Sequence, residues 1–195
     1  QYADRLEGAE NFEDALHELI KTVIAAHRRI IFNGNGYDDA WIKEATEKRG
    51  LLNYRTTPDA LPAILKKKNV DMLTSHKVFS EAEIRSRYEI TLENYCKTVN
   101  IEALTMVDMA RRQILPAVEK YAHALSESFA SKVRLVPELS GRYEKTTVAK
   151  LSALADEIDA AAAALETETV RLKAINDVTE ASCMIRDVIL QKMAE

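Results

Sequence analysis

Apolar residues from Ser80 onwards recur every three or four positions, which is the spacing of one buried face of an α-helix. The segment opens with Ser-Glu-Ala-Glu, in which Ser80 suits the N-cap of a capping box and Glu83 suits its third helical position. We therefore expect a long helix that begins just after Ser80. Its predicted buried face consists of Ile84, Tyr88, Leu92, Tyr95 and Val99.

The same helix carries a second apolar stripe beyond Val99. A helix that is apolar on two sides is typical of an element with neighbours on both sides. We expect this stripe, together with Tyr88 and Tyr95, to be buried in the bundle core rather than against another domain. Pro116 lacks an N–H, so it should kink or restart the helix, which continues to about Val133. The stripe comprises Ile101, Leu104, Val107, Ile114, Leu115 and Val118.

The last third of the chain reads as a further pair of helices. Pro137 and Gly141 predict a turn, and an almost unbroken helical pattern then runs from about residue 143 to residue 193. The apolar positions Leu154 and Ala161 lie seven residues apart, and the charged Glu168 stands where this companion stripe should continue. The interruption predicts a break within residues 166–174. Heptad spacing of this kind suits long helices packed at a shallow angle. The heptad positions are Leu151, Ile158, Leu165 and Leu172, with Leu154 and Ala161 as companions.

The chain before Ser80 is broken by turns into short elements. Asn11 and either Asp38 or Asp39 are expected to cap helices, and Gly50 is expected to follow a helix end. Thr57 is expected to cap a short helix with Pro58 at its first position, and Asn69 another. The prediction is an all-α fold, short helices followed by a bundle of long antiparallel helices. We assign one helical domain, 1–195, with short helices and turns over 1–79 and the bundle over 80–195.

Composition excludes several classes of protein. The chain is 47% hydrophobic and 30% charged with only five glycines, which favours a helical globular protein over disorder. A formal charge of -4 gives no reason to expect a nucleic-acid partner. No apolar run reaches the length of a membrane span, so we expect a cytoplasmic protein without a membrane partner. Cys96 and Cys183 are expected to be reduced, mostly buried thiols.

Asn33-Gly34-Asn35-Gly36-Tyr37 could be a phosphate-binding loop or simply a turn. No Lys-Ser or Lys-Thr follows, and Asp39 stands where a dinucleotide fingerprint needs its third glycine. Asp38 and Asp39 would also place negative charge where a phosphate must sit. The residues favour a tight turn that uses Gly and Asn at positive φ and leads into a helix.

The other chemistry-bearing residues do not form a recognisable site. The four histidines, His17, His27, His76 and His123, show no metal-binding spacing. Glu102 and Asp108 lie in the two-sided helix, where a buried carboxylate would need a partner, and Arg111 or Arg112 can pair with Asp108. No Ser-His-Asp set can be argued from spacing. We assign no catalytic, no cofactor-binding and no metal-ligating residue.

Three phrases nevertheless resemble the C-terminal region of type III glutamine synthetase, the large bacterial form of the enzyme. The resemblance runs from about Phe12 to Gln191, strongest over Arg28–Pro62 and His76–Val118 and loose over Leu151–Arg171. The phrases are RRIIFNGNGYDDAWIKEATEKRGLLNYRTTPDALPAI, HKVFSEAEIRSRYEITLENYCKTVNIEALTMVDMARRQILPAV and MIRDVILQKM.

The resemblance implies a parent enzyme that makes glutamine from glutamate and ammonia with ATP and Mg or Mn ions, through a γ-glutamyl phosphate. The family's catalytic motifs lie in a catalytic domain upstream of the matched region and are absent here. We therefore expect an excised C-terminal structural and assembly domain that is inactive alone and has no cofactor of its own. Its implied partners are the catalytic domain of the same chain and the other subunits of a homo-oligomer.

Two further interpretations remain open. The chain could be a free-standing helical module that docks a partner helix. Alternatively, the Asn33–Tyr37 loop could touch a nucleotide or effector in the intact enzyme.

Overall fold

The computed structural model of the chain describes residues 2–195. Helices account for 80% of the chain, and the described part contains no strand. The predicted all-α fold class is confirmed. None of the helices within residues 2–195 is long and apolar enough to cross a membrane. The chain divides into two compact units, Gln1–Asn53 and Tyr54–Glu195.

The first unit contains short helices whose ends follow the predicted signals. The Asn11 side chain accepts hydrogen bonds from the N–H groups of Glu13 and Asp14, and the Asp38 side chain accepts one from Ala40. Gly50 follows the last helical turn with a φ of 66°, which suits a residue without a Cβ atom. The helices are α1 (Tyr2–Leu6), α2 (Phe12–His27, continued by the 3₁₀ turn Arg28–Ile30) and α3 (Asp39–Lys43, continued by the π-helical turn Glu44–Lys48).

The second unit begins with short helices and continues as long ones. Its short helices are α4 (Thr57–Ala60, continued by the 3₁₀ turn Leu61–Leu65) and α5 (Lys67–Ser75). Its long helices are α6 (Glu81–Met109), a π-helical turn (Ala110–Ile114), α7 (Leu115–Leu135) and α8 (Arg142–Leu172). The chain then forms α9 (Val178–Met184), a second π-helical turn (Ile185–Ile189) and α10 (Leu190–Ala194).

The long helix starts and runs as predicted. Ser80 and Glu83 form a complete capping box: the Ser80 N–H donates to Glu83 Oε2 at 2.7 Å, and the Glu83 N–H donates to Ser80 Oγ at 3.3 Å. From α6 to α7 the helix is continuous over 55 residues. Pro116 is the second residue after the π-helical turn. The chain absorbs the missing N–H of proline by changing the hydrogen-bond register there, and the helix does not end.

α8 runs antiparallel to the long helix, since Arg111 pairs with Glu166 and Lys132 with Glu144. α9 and the π-helical turn that follows it complete the core. The break predicted within residues 166–174 is confirmed, since α8 ends at Leu172 and α9 begins at Val178. Leu165 and Leu172 are buried as the heptad pattern predicts. The core cluster contains Val99, Ala103, Val107, Leu165, Leu172, Ala181, Ile185 and Ile189.

The predicted companion stripe of α8 is wrong by one residue. Leu154 is 42% exposed, whereas Ala155, Ala162 and Thr169 are buried. Two of these three buried residues are alanines, and small side chains allow neighbouring helices to approach closely. The interface of α8 therefore keeps the heptad positions Leu165 and Leu172 and uses the position after each predicted companion residue.

The predicted burial of the second stripe is wrong for three of its six residues. Val107 is buried, and Leu115 and Val118 are half-buried, but Ile101 is 63% exposed, and Leu104 and Ile114 are exposed as well. Packing within the second unit covers the face that carries Val99 and Ala103, and the Ile101 side of α6 stays open. The first stripe behaves as predicted: Ile84, Leu92 and Val99 are buried, and Tyr88 and Tyr95 are half-buried.

Two of the predicted caps are wrong. The N-cap of α4 is Thr56, so Thr57 is the first helical residue and Pro58 the second. Asn69 lies inside α5, and its side-chain amide donates to the carbonyl oxygen of Ala63 at 2.6 Å. Asn69 thus ties α5 to the preceding 3₁₀ turn instead of starting a helix.

Candidate functional site

The Asn33–Tyr37 segment forms the predicted turn into a helix. The Tyr37 N–H donates to Asn35 Oδ1 at 3.0 Å, and the Asp38 N–H donates to the carbonyl oxygen of Asn35 at 3.2 Å. The Asn35 side chain thereby shapes the turn. The expected positive φ angles are absent: within residues 2–195 only Gly8, Gly50, Lys77 and Gly141 adopt one.

Gly34 is instead required for space. A Cβ atom placed on residue 34 would lie 2.7 Å from Cζ of Phe32, whereas a Cβ atom on Gly36 would meet nothing within 4 Å. The two glycines of the loop therefore differ in role. Gly34 lets the backbone pass beside an aromatic ring, and Gly36 is under no comparable constraint.

The start of α3 is already occupied by a carboxylate of the chain. Asp38 Oδ1 accepts a hydrogen bond from the Ala40 N–H at 3.1 Å, and Asp39 follows in the first turn. Both negative charges lie where the helix dipole stabilises an anion. A phosphate would have to displace Asp38 and approach Asp39, so the geometry disfavours a phosphate-binding loop.

Phe32 and Trp41 stack across this loop and form one wall of a pocket. Their ring centroids are 3.8 Å apart with an angle of 19° between the planes. The Arg49 guanidinium lies 4.9 Å from the Trp41 ring centroid, close enough for a cation–π interaction. We call the cavity at this wall the aromatic pocket; it has a volume of about 630 Å³ and is lined by Arg29, Ile30, Phe32, Trp41, Lys48, Arg49 and Leu51.

Arg49 holds the pocket together through three hydrogen bonds. Its Nη2 and Nε atoms donate to Glu44 Oε1 at 2.7 and 3.0 Å, and its Nη1 atom donates to the carbonyl oxygen of Arg29 at 3.1 Å. The bonds from Arg49 lower the pKa of Glu44, so the carboxylate stays ionised. These contacts connect the turn after α2 to the end of the α3 helix.

A second cavity, which we call the apolar groove, lies within the second unit between α6, α8 and the end of α10. Its volume is about 340 Å³, and its walls are mostly aliphatic. The exposed Ile114 and Leu154 belong to this groove. Its lining includes Met106, Ile114, Leu154, Ile158, Ala161 and Leu165.

The carboxylates singled out on α6 lie at the surface. Asp108 pairs with Arg112 at 2.8 Å, as the spacing of four residues predicts. Arg111 reaches across to Glu166 of α8 at 2.8 Å and does not share Asp108. Glu102 and Asp108 are both exposed, so neither is a buried carboxylate that needs a partner. These charges stabilise helices and helix contacts and form no cleft.

The histidines and cysteines form no metal cluster in residues 2–195: no three His, Cys, Asp or Glu side chains there are arranged to hold a metal ion. Cys96 and Cys183 are both free and half-buried, as predicted for reduced thiols. Burial raises the pKa of the Cys96 thiol, and the nearby Cys183 raises it further. The fold brings together two cysteines that are far apart in sequence.

Comparison with known proteins connects this chain to one enzyme. It is 33% identical to a glutamine synthetase of Butyrivibrio fibrisolvens over 95% of its own length and 26% of that protein. It is 36% identical to a type-3 glutamine synthetase of Dictyostelium discoideum over 61% of this chain and 16% of that protein. A glutamine synthetase of Bacteroides fragilis is 31% identical over 65% of this chain and 17% of that protein.

The chain thus spans about a quarter or less of the length of the curated relatives it matches. Residues 15–133 match the family described as the glutamine synthetase C-terminal domain. This range starts in α2 and ends in α7, so it includes both the aromatic pocket and the exposed side of α6. The chain belongs to the glutamine synthetase C-terminal domain family.

Proposed function

We propose that this chain is the structural and assembly domain, 1–195, of a glutamine synthetase whose catalytic domain lies elsewhere in the same polypeptide. The observation that carries this proposal is the difference in coverage: the relative from Butyrivibrio matches 95% of this chain with only 26% of its own length. Most of such a parent enzyme therefore lies outside the 195 residues. The parent joins ammonia to glutamate with ATP, and this chain supports that reaction without performing it.

The cofactors of the parent reaction belong to its other part. ATP and Mg or Mn ions would supply the phosphoryl group and balance its charge during transfer. The described residues do not fit these groups, because no acidic cluster is available for a metal and Asp38 occupies the start of α3. We derive no step of the reaction from this chain.

The partners of the domain are the catalytic domain of the same polypeptide and the neighbouring subunits of a cytoplasmic homo-oligomer. The exposed apolar side of α6 at Ile101 and Leu104 and the apolar groove supply surfaces for such contacts. Exposed apolar patches on a folded domain mark interaction sites more often than isolated apolar residues do.

Assay of glutamine formation tests the proposal directly. The purified 195-residue chain should form no glutamine from glutamate, ammonia and ATP, whereas the full-length enzyme should. Deleting this region from the full-length enzyme should change its oligomeric mass in light scattering. Ligase activity of the isolated chain, or unchanged assembly and activity after the deletion, would overturn the proposal.

The alternative of a free-standing helical module is distinguished by the size of the native gene product. An antibody against this chain should detect a polypeptide with a mass much larger than 21.9 kDa in cells that make it. A band at the mass of the chain alone would favour the free-standing module. Calorimetry of the purified chain with ATP, ADP and glutamine should show no heat, and binding would support the nucleotide or effector interpretation instead.

A further inference from the structure

The first unit exposes more than half of its large apolar side chains and half-buries the others. Among residues 2–53 only Ala45 is buried. A folded unit normally buries most of its large aliphatic and aromatic residues, because removing apolar surface from water stabilises the fold. The exposed set includes Phe12, Ile20, Ile24, Ile30, Phe32 and Leu51.

The aromatic pocket is the part of this surface with fixed geometry. Its Phe32–Trp41 wall is stacked at 3.8 Å, and Arg49 is held by Glu44 and by the carbonyl oxygen of Arg29. Leu51, which also lines the pocket, has a fixed backbone as well, since its N–H donates to the carbonyl oxygen of Ala45 at 2.9 Å. A preorganised pocket binds a partner without first having to order its own side chains.

The rim of the pocket carries a net positive charge. Arg29, Lys48 and Arg49 line it, and Glu44 is bonded to Arg49 and also interacts with the charge of Lys48. Arg29 is exposed, and its side chain makes no ion pair or hydrogen bond with residues 2–195. An apolar floor whose rim has three cations and one carboxylate complements an apolar side chain that has a carboxylate beside it.

We propose that the aromatic pocket binds a segment of the parent polypeptide outside these 195 residues. The segment inserts an apolar side chain against Phe32 and Trp41 and places a carboxylate between Arg29 and Lys48. This proposal rests on the proposed function, because it requires a longer parent chain. A segment of the same polypeptide has the advantage of high effective concentration, so even a pocket-sized contact can stay occupied.

Photo-crosslinking in the full-length enzyme tests the contact. A benzophenone amino acid in place of Leu51, which is 54% exposed, should crosslink to one peptide outside residues 1–195. Mass spectrometry should find an apolar residue next to Asp or Glu in that peptide. In an oligomer assembled from equal amounts of light and heavy isotope-labelled subunits, every crosslinked pair of peptides should be entirely light or entirely heavy. Such pairs show that the crosslink forms within one polypeptide. A crosslink to residues 54–195, to another subunit, or to nothing would overturn the proposal.

Charge variants show whether the rim recognises a carboxylate. The double variant Arg29→Glu with Lys48→Glu should lower the crosslink yield about tenfold, since a buried charge contact at an interface is commonly worth more than 1.4 kcal/mol. Lys43→Glu is the matched control, because Lys43 is exposed on the same helix and does not line the pocket. Equal yields from the rim and control variants would overturn the assignment of the carboxylate.

The outcome is separable from the test of the proposed function. If the isolated chain is inactive and its deletion disrupts assembly while Leu51 gives no crosslink, the domain role stands and the docking site is wrong. If the isolated chain makes glutamine, the proposed function fails whatever the crosslinking shows.

Discussion

The Phe32 ring lies so close to Gly34 that a Cβ atom on residue 34 would be 2.7 Å from Cζ of the ring. Gly34→Ala must therefore shift the Phe32 ring, which stacks on Trp41, at a cost of about 0.5–1.5 kcal/mol for a displaced rotamer. Trp41 is the single tryptophan of the chain, so its fluorescence reports on the stack. We expect Gly34→Ala to increase acrylamide quenching of Trp41.

Gly36→Ala is the control for this prediction, because the added methyl group meets nothing within 4 Å. Its quenching should match that of the unmodified chain. If Gly34→Ala and Gly36→Ala give the same quenching, Phe32 does not rest on Gly34 and the pocket wall is not built as described.

Gly141 combines two constraints at the turn before α8. Its φ is 55°, and a Cβ atom there would overlap the ring of Phe129. Gly141→Ala should cost about 1–2 kcal/mol for the left-handed backbone and about 1–3 kcal/mol more for displacing the ring. Urea unfolding measures the loss. Gly8→Ala, with a φ of 83° and open space around it, should show only the backbone cost, and a loss as large as that of Gly141→Ala would contradict the packing argument.

The capping box of α6 makes stability depend on pH. Hydrogen bonds from the backbone and side chain of Ser80 hold the pKa of Glu83 below its ordinary value. The folded state therefore binds fewer protons than the unfolded state near that ordinary value. The contribution of Glu83 to stability is present above its ordinary pKa and is lost as the pH falls through the folded pKa.

Glu83→Gln should accordingly be less sensitive to acid than the unmodified chain. The difference in urea midpoint between the two proteins should shrink from about pH 6 to about pH 3. Glu102→Gln is a suitable control, since Glu102 is exposed on the same helix and makes no ion pair in residues 2–195. A constant difference between Glu83→Gln and the unmodified chain across this range would contradict the pH argument.

Tyr95 places its hydroxyl oxygen in the second unit where no residue within 2–195 hydrogen-bonds to it. Burial raises the pKa of Tyr95, in keeping with a hydroxyl group removed from water. Because an unpaired buried polar group costs about 1–3 kcal/mol, Tyr95→Phe should leave stability unchanged or increase it.

The matched variant for Tyr95 is Tyr88→Phe, on the same face of α6. The Tyr88 hydroxyl lies 3.4 Å from Thr179 Oγ1, so its removal should cause a small loss of stability. The change in the thermal unfolding temperature of each variant measures what its hydroxyl group contributes to stability. A larger loss for Tyr95→Phe than for Tyr88→Phe would show that the Tyr95 hydroxyl has a partner after all.

The two failed burial predictions, on α8 and on α6, share a physical cause. The apolar pattern identified Leu165 and Leu172 correctly, but the neighbouring contact positions are Ala155 and Ala162. Periodicity reports which residues avoid water and does not report how closely two helices approach. Ile101 shows the converse, because an apolar residue at helical spacing is 63% exposed when the packed helices lie on the other face.

The aromatic pocket could be anticipated only in part. Phe32 and Trp41 stand on either side of a glycine-containing turn in the sequence, which is compatible with rings that meet across it. The role of Arg49 could not be read in this way, since its bond to the Arg29 carbonyl joins residues twenty positions apart. Contacts of that kind depend on the path of the backbone and not on local spacing.

The sequence by itself determined the all-α fold, the capping box at Ser80, the caps at Asn11 and Asp38, and the break after α8. These features depend on hydrogen bonds and apolar spacing within one or two helical turns. Only the tertiary structure decided which side of α6 is open, why Gly34 is a glycine, and which cations line the aromatic pocket. Those properties arise from contacts between distant segments, which local sequence patterns do not encode.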